Sequence, residues 1–335
     1  MKQRFHTAWA WTQKYRGICL LGLILLTLVL VFVLKTSQVR ILCRILMYIT
    51  LAGSLNIING YSGQICLGQA GFFAIGSYTM AILLTRYSVS FWLLLPLCGI
   101  LTAAAGALIA LPTLRMKGIY LSMITLGFSE IVRTVALNWQ SVTGGSYGIK
   151  DIPRPALFGL NIDTPQKFAV LFLIVACVFL FVSYRTIRSR LGRAWMAIRE
   201  GELAAASLGI QISKYKIMNF AYGAFWAGIA GGIYAPYLRY IDSSAFGMDE
   251  GFNILSMVVI GGQGTLVGPA VGAVVINLLT ELLRAVSSWR YVVYACLLLV
   301  MMWKRPRGLA GESSTALMAR AQLSPRSRRK KECEK

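Results

Sequence analysis

The feature that most constrains this chain is a succession of apolar segments long enough to cross a bilayer. Residues 17–34 form one uninterrupted apolar stretch, and comparable stretches recur along the sequence. About 20 apolar residues span the hydrocarbon core as a helix, and a helix pairs its own backbone polar groups there. Only 14% of the residues are charged, against about 25% in soluble domains. The sequence therefore predicts an all-α polytopic membrane protein.

The segment boundaries predict about ten transmembrane helices, with a range of eight to ten. Five spans on each side of a polar loop would invert the second half relative to the first, as in many transporters. Gly60, Gly63 and Gly71 recur as Gly261, Gly264 and Gly272, which fits an inverted 5+5 repeat. The predicted spans are 17–34, 41–58, 60–86, 91–111, 118–137, 167–184, 217–236, 252–260, 266–283 and 291–303.

The basic residues lie where the positive-inside rule would place them. A basic arm (1–16), a central loop (185–216) and a basic tail (304–335) are predicted to be cytoplasmic, with the permease domain at 17–303 and both termini inside. The tail is predicted to be a disordered arm near the membrane surface, where it meets anionic lipids. The polar loop 138–166 is predicted to lie outside. Because the net charge of +22 is concentrated at these membrane flanks, lipid contact explains it better than nucleic acid.

Several kinds of chemistry are disfavoured by what the sequence contains. The chain has one histidine, and its seven cysteines form no C-x-x-C pair, so neither a metal site nor a disulfide framework is indicated. It has no G-x-x-x-x-G-K-[ST] phosphate loop. We therefore expect no catalytic residue, no metal and no directly bound cofactor, with the energy for any transport supplied from elsewhere.

Two glycine-rich segments, 60–76 and 261–272, interrupt otherwise helical spans. Broken helices expose backbone N–H and C=O groups that can bind a solute, while small residues also allow close helix packing. For the glycines, helix packing is the favoured interpretation. For the glutamines, a position along a translocation path is slightly favoured. The predicted translocation-path residues are Gly60, Ser62, Gly63, Gln64, Gln69, Gly261, Gly262 and Gln263.

The central loop 185–216 contains an acidic residue, a run of small residues and a glycine, in a composition that favours a short surface helix closed by Gly209. This arrangement resembles the coupling loop of ABC importer permeases, although Leu203 occupies the acidic position and Glu202 lies one place early. The resemblance implies that separate ATPases dock here. The implied coupling residues are Arg193, Ala194, Glu200, Glu202, Ala204, Ala205 and Gly209.

Four segments together resemble the LivM-type branched-chain amino-acid permease family. They are GYSGQICLGQAGFFAIGSYT at 60–79, residues 118–159, residues 190–210 and VIGGQGTLVGPAVGAVV at 259–275. The resemblance implies a bacterial inner-membrane subunit that pairs with a LivH-type permease, two cytoplasmic ATPases (LivG and LivF type) and a periplasmic binding protein. The implied cargo is a branched-chain or other hydrophobic amino acid. Gln69 stands where the family more often has His.

Three other functions remain open at this stage. Related permeases carry urea, amides or other small solutes, so the cargo class has alternatives. A secondary transporter driven by an ion gradient would need coupling carboxylates within the spans. The candidates are Glu130 and Glu281, which have Arg133 and Arg284 three residues away and near predicted span ends. A membrane-embedded enzyme is opposed by the lack of histidine and of clustered carboxylates.

Overall fold

A computed structural model describes residues 35–282, apart from residues 88, 115, 117, 158 and 159, together with residues 308 and 309. Within this part of the chain, four helices are long and apolar enough to cross a membrane: Thr36–Tyr61, Phe91–Thr113, Ile119–Asn138 and Pro165–Arg188. Several spanning helices in one chain make this a multi-pass membrane protein.

The described residues fold into helices joined by short connections and one small hairpin. Helix α1 continues into a π-helical turn, Ile57–Tyr61, and single 3-10 turns form at Gly145–Tyr147 and Ser243–Phe246. The elements in chain order are α1 (Thr36–Asn56), α2 (Gln69–Tyr87), α3 (Phe91–Thr113), α4 (Ile119–Asn138), α5 (Gln140–Thr143), β1 (Ala156–Leu157), β2 (Leu160–Asn161), α6 (Pro165–Arg188), α7 (Arg190–Glu200), α8 (Glu202–Ser207), α9 (Ile212–Leu238), α10 (Met248–Gly261) and α11 (Val267–Leu282).

Eight of the ten predicted spans coincide with described helices, and the other two, 17–34 and 291–303, lie outside the described residues. The largest boundary error concerns the third span, which was expected to begin at residue 60. Residues 60 and 61 instead complete the π-helical turn after α1, and α2 begins at Gln69. The total of ten spans and the inverted repeat stay predictions.

Helix α9 lies at the centre of the bundle and packs through small residues. Gly228 lies against Cys98 and Thr102 of α3, and Gly231 lies against Phe73 and Ser77 of α2. Small side chains let helix backbones approach closely, which is how helices associate without a hydrophobic driving force. The glycines of α9 therefore fix the positions of α2 and α3.

The spanning helices differ in how far their neighbours cover them. In its most apolar window, Thr36–Tyr61 is 78% buried, whereas Ile119–Asn138 is only 28% buried. Large apolar side chains such as Met123 and Ile131 are exposed on α4. Helix α1 is therefore an interior helix, and α4 presents an apolar face that lipid can cover.

The two polar loops lie at opposite ends of α9. The segment before α9 contains α7 and α8, and Trp195 of α7 donates to the carbonyl of Tyr215 on the first turn of α9. At the other end, Ile149 of the 138–166 loop pairs with Ile241, just after α9. A 27-residue helix is about 40 Å long at 1.5 Å per residue. The two loops are thus separated by about the thickness of a bilayer.

Gly228→Ala is expected to destabilise the bundle. The added Cβ would lie 2.6 Å from Cβ of Thr102 and 2.8 Å from the carbonyl oxygen of Cys98. Overpacking of this kind costs about 1–3 kcal/mol. Thermal unfolding of the purified chain in detergent should show a lower melting temperature than for the unmodified protein.

Gly127→Ala is the matched control on α4, because its added Cβ would meet nothing within 4 Å. Alanine is favoured over glycine in a helix interior by up to about 1 kcal/mol, so this variant should melt at the same or a higher temperature. Equal destabilisation by the two substitutions would contradict the close packing of α9.

Candidate coupling and translocation site

The first helix break covers residues 62–68, between the π-helical turn and α2. The Asn59 side chain holds this irregular loop in place, because its Nδ2 donates to the Cys66 carbonyl (3.3 Å) and its Oδ1 accepts from the Cys66 N–H (3.0 Å). The N–H of Gln64 donates to the carbonyl of Ile58 at 3.2 Å. These bonds pair backbone groups that a continuous helix would have paired internally.

Helix α4 satisfies further backbone groups of the same loop. The N–H of Leu67 donates to the Thr125 hydroxyl at 3.0 Å, and the Ser122 hydroxyl donates to the carbonyl of Ile65 at 3.2 Å. Unpaired backbone groups at membrane depth are costly unless protein or water satisfies them. The hydroxyls of α4 thus make an irregular segment tolerable here.

The second break, residues 262–266, lies against the end of α1 and the π-helical turn that precedes the first break. The Asn56 carboxamide joins them, since its Oδ1 accepts from the N–H of Gly264 at 2.9 Å and its Nδ2 donates to the carbonyl of Thr265 at 2.8 Å. Gly264 has a positive φ of 79°, a conformation that glycine adopts without steric cost. One polar side chain therefore holds both interrupted helices together.

Both breaks are shorter than the glycine-rich segments predicted from the sequence. Gly71 and Gly76 lie within α2, and Gly272 lies within α11. The glycines of α2 serve packing, because a Cβ at Gly71 would lie 2.9 Å from the Cα of Ser129 and one at Gly76 would lie 2.6 Å from the Cα of Gly228. Close helix contact explains them better than irregular backbone.

The glutamines near the first break are buried and polar. Gln64 donates to the Ser62 hydroxyl at 2.6 Å, and Gln69 donates to the Ser54 hydroxyl at 2.6 Å. The Oε1 atom of Gln69 is buried and has no hydrogen-bond partner within the described part of the chain. A buried acceptor without a partner costs free energy.

Helix α7 begins the loop between α6 and α9 and packs firmly against the bundle. Ser189 caps it by accepting from the N–H of Leu191 at 3.2 Å. Its apolar side includes Trp195 and Ile198, which are fully or almost fully buried. The ring of Trp195 also packs against the ring of Tyr222 in a tilted arrangement, with ring centroids 5.9 Å apart. Helix α7 is thus fixed to α9 through the Trp195 side chain.

Helix α8 is a short, exposed helix that begins after a break at Gly201. The alanine-rich composition favoured one helix in this stretch, but Gly201 divides it into α7 and α8 because glycine weakens a helix interior. In α8, Ala205 is buried, whereas Leu203 and the following Leu208 are 86% and 81% exposed. Leu203 and Leu208 therefore add apolar surface to the exposed side of this segment.

Gly209 ends α8, as the sequence predicts. Its φ is +80°, its N–H donates to the carbonyl of Ala206, and the N–H of Ile210 donates to that of Ala205. This pair of bonds is a Schellman motif, in which glycine occupies the left-handed position after the helix. A Cβ at Gly209 would meet nothing within 4 Å. Its surroundings are therefore open and accessible.

A buried ion pair anchors the start of α8 to α9. The Nζ atom of Lys216 lies 2.7 Å from Oε1 of Glu202, and the two side chains are 4% and 28% exposed. A buried ammonium requires a partner because leaving water is costly for a charge. Glu202, which the sequence assigned to coupling, therefore faces the bundle and fixes the position of α8.

An open pocket of about 490 Å³ lies between the first break and residues 190–207 (helices α7 and α8), which we call the coupling segment after its predicted role. Its walls come from residues 62–64 on one side and from α7, Gly201 and α8 on the other. The sequence alone predicted two separate sites for these two groups. The structure brings Ser62, Gly63, Gln64, Glu202 and Ala204 to a single pocket.

The remaining predicted residues do not line this pocket. Arg193 is exposed and donates to the Arg188 carbonyl at 2.9 Å. Glu200 and Gln263 are exposed, whereas Ala194, Gly60, Gly261 and Gly262 are buried.

The charged pairs considered for ion coupling are only partly within the described residues. Glu130 accepts from Arg133 at 2.8 Å, and both side chains are partly exposed. Glu281 is described, but Arg284 lies outside the described residues.

One residue of the site was missed by sequence reasoning. Arg199 of α7 donates from Nη1 to the carbonyl of Gly60 and lines the pocket. The sequence shows it only as one of several basic residues in the loop. No local signal could have singled it out, because its partner lies 139 positions earlier in the chain.

A family profile matches the chain over residues 37–302, and its description is "Branched-chain amino acid transport system / permease component". The chain belongs to this permease family. The resemblance to this family is thereby confirmed, and the matched region includes the four sequence segments, both breaks, and helices α7 and α8.

Individual relatives agree with the family. The high-affinity branched-chain amino-acid transport system permease protein LivM of Salmonella typhimurium is 37% identical over an alignment of 313 positions that covers 87% of this chain and 74% of the relative. LivM of Escherichia coli K12 has the same identity and coverage. LivH of Salmonella typhimurium is 25% identical over 79% of this chain and 91% of the relative. No solved structure matches the chain with significant similarity.

Replacing Glu202 is expected to lower the stability of the protein more than replacing Lys216. Glu202→Gln leaves the buried Lys216 ammonium without its counter-ion, which should cost about 3 kcal/mol or more. Lys216→Met leaves a carboxylate that is 28% exposed and can be hydrated, so we expect a cost of about 1 kcal/mol. Thermal unfolding of the two purified variants in detergent measures the difference.

The double variant Glu202→Gln/Lys216→Met provides the control, because it removes both charges together. It should be more stable than Glu202→Gln alone. If Glu202→Gln unfolds at the same temperature as the unmodified protein, Lys216 does not depend on this partner.

Proposed function

We propose that this chain is a transmembrane permease subunit of an ATP-binding cassette importer. It moves branched-chain or other hydrophobic amino acids across a bacterial inner membrane, with both termini and the 185–216 loop in the cytoplasm. Membership of the permease family supports this proposal, as do relatives named as subunits of high-affinity branched-chain amino-acid transport systems.

The observation that carries the proposal is the form of the coupling segment. Helix α8 is short, exposed and ended by a glycine cap, and it presents Leu203 and Leu208 outward. It is also fixed to the bundle by the buried Lys216–Glu202 pair. A surface helix that is fixed to the bundle on one side and apolar on its exposed side can be displaced by a docked ATPase. It can then transmit that displacement to the bundle.

The proposed path runs by way of the first break. Ser62, Gln64 and Gln69 offer uncharged hydrogen-bonding groups, which suit the ammonium and carboxylate of an amino acid without holding it as tightly as a fixed charge would. The buried Oε1 of Gln69 is the acceptor available for such a donor. Uncharged groups can bind a zwitterion and release it again.

The proposed partners occupy opposite ends of the molecule. Two cytoplasmic ATPases of LivG and LivF type would bind at the α8 end, where ATP is used, so this chain binds no cofactor itself. A periplasmic binding protein would deliver cargo at the end that contains the 138–166 loop. A LivH-type permease would complete the membrane part, and the similarity of this chain to LivH supports a pair of related subunits.

The proposed mechanism is alternating access. Closure of the ATPase dimer moves α8, and α7 transmits this movement to the interrupted helices, which form one wall of the pocket at residues 62–64. Broken helices at a transport site can change position while the surrounding helices stay packed. The path thus opens alternately to the two sides.

Replacing Leu203 and Leu208 together by serine should weaken ATPase binding without affecting insertion. Both side chains are largely exposed, so their loss removes contact area with the partner and leaves the bundle intact. We expect recovery of the P-loop ATPases in a detergent pull-down to fall at least tenfold, with a similar fall in uptake of radiolabelled leucine by cells.

Leu238→Ser is the control, since Leu238 is 47% exposed at the far end of α9. It should leave both ATPase recovery and leucine uptake unchanged. If the unmodified chain recovers no ATPase, or if a protonophore rather than ATP depletion stops uptake, a gradient-driven transporter is the better description. Competition by unlabelled urea instead of leucine would reassign the cargo.

A further inference from the structure

The Arg199 side chain reaches from the coupling segment to both helix breaks. Its Nη1 atom donates to the carbonyl of Gly60, in the π-helical turn that ends α1. The same atom would lie 2.7 Å from a Cβ placed on Gly264. The guanidinium therefore lies where the first break, the second break and α7 meet.

Glycines leave the space that this arginine fills. A Cβ on Gly63 would lie 3.0 Å from Cγ of Arg199, and one on Gly264 would lie 3.4 Å from the carbonyl oxygen of Gly60. A side chain at either glycine would press on the arginine or on the opposing backbone. The absence of side chains on both breaks allows one guanidinium to contact them together.

The Asn56 carboxamide completes the connection from the other side. It binds the N–H of Gly264 and the carbonyl of Thr265, and it also packs against Gly60. The two breaks thus form one polar unit, and Arg199 is the residue of α7 that binds to it through a hydrogen bond.

Arg199 is also close to helix α8, the proposed site of ATPase docking. Arg199 and the first residues of α8 line the same pocket, and only Glu200 and Gly201 separate Arg199 from α8 in the chain. Helix α7 itself is held to α9 by the Trp195 hydrogen bond to Tyr215. A displacement of α8 is therefore passed to the breaks over a short distance.

We propose that Arg199 is the positioning residue that transmits movement of the coupling helix to the two interrupted helices of the path. This inference rests on the proposed function for its role in transport, although the link itself does not depend on the cargo. A planar guanidinium presents several donors in a fixed geometry, whereas a lysine ammonium is a flexible point charge. Lysine should replace arginine only in part.

The first test compares transport with ATP hydrolysis in the complete assembly, co-purified with its partners and reconstituted in liposomes. Arg199→Ala should reduce ATP-dependent uptake of radiolabelled leucine at least tenfold, while ATP hydrolysis stays within about twofold of the unmodified assembly. Arg199→Lys should restore part of the uptake. The control is Arg190→Ala, which removes the same charge from the exposed first turn of α7 and should leave both activities unchanged.

The second test measures the link without relying on transport. Spin labels at Leu203→Cys and Val267→Cys, both exposed positions, report the distance from α8 to the start of α11 in the full chain. With Arg199 present, the distance distribution should be narrow. With Arg199→Ala it should become broad, and Arg190→Ala should leave it narrow.

The outcomes separate the two proposals. If the unmodified assembly takes up no leucine, the proposed function fails, and the spin-label distances still decide the role of Arg199. If Arg199→Ala keeps normal uptake or a narrow distance distribution, the transmission role is wrong. If Arg199→Ala is not inserted, Arg199→Lys decides: a threefold or greater loss of uptake with normal ATP hydrolysis supports the role, and full activity overturns it.

Discussion

The structure depends on how the backbone groups of two interrupted helices are satisfied inside a membrane protein. Each break leaves N–H and C=O groups without a helical partner, and such groups are tolerated at membrane depth only where protein or water pairs them. Asn56 pairs two of them across the breaks at 2.8 and 2.9 Å. This carboxamide belongs to the last residue of α1 and binds residues of the second break. The two irregular segments therefore lie next to each other.

The exposed loop 185–216 lies beside the two helix breaks. Helix α7 is packed through Trp195, and α8 is anchored through the Lys216–Glu202 pair, so the loop is a rigid surface feature beside the breaks. The proposed function supplies a reason for this arrangement. If other subunits provide the energy, they need a surface that they can move and a short connection from that surface to the path.

The sequence predicted those features that depend on local composition. Apolar length predicted eight segments that are helices in the described part of the chain, and glycine at 209 predicted the end of α8, because a left-handed cap is a local requirement. The extent of the breaks was overestimated, since Gly71 and Gly76 serve contacts with Ser129 and Gly228 that composition does not reveal. The bonds of Asn56 to Gly264 and of Arg199 to Gly60 join residues 208 and 139 positions apart. Pairings at such separations are set by the packed bundle and have no local signature.

The most direct test of this account is the accessibility of the pocket at Ser62 during the ATPase cycle. Ser62→Cys, in a chain whose seven native cysteines are replaced, would be treated with a membrane-impermeant maleimide added from the proposed cytoplasmic side of the reconstituted assembly. Because Ser62 is only 3% exposed, we expect slow but measurable labelling without nucleotide, and labelling at least tenfold slower when the ATPases are trapped with ATP and vanadate. Labelling at equal rates in both states would contradict the claim that movement at α8 controls access to the path.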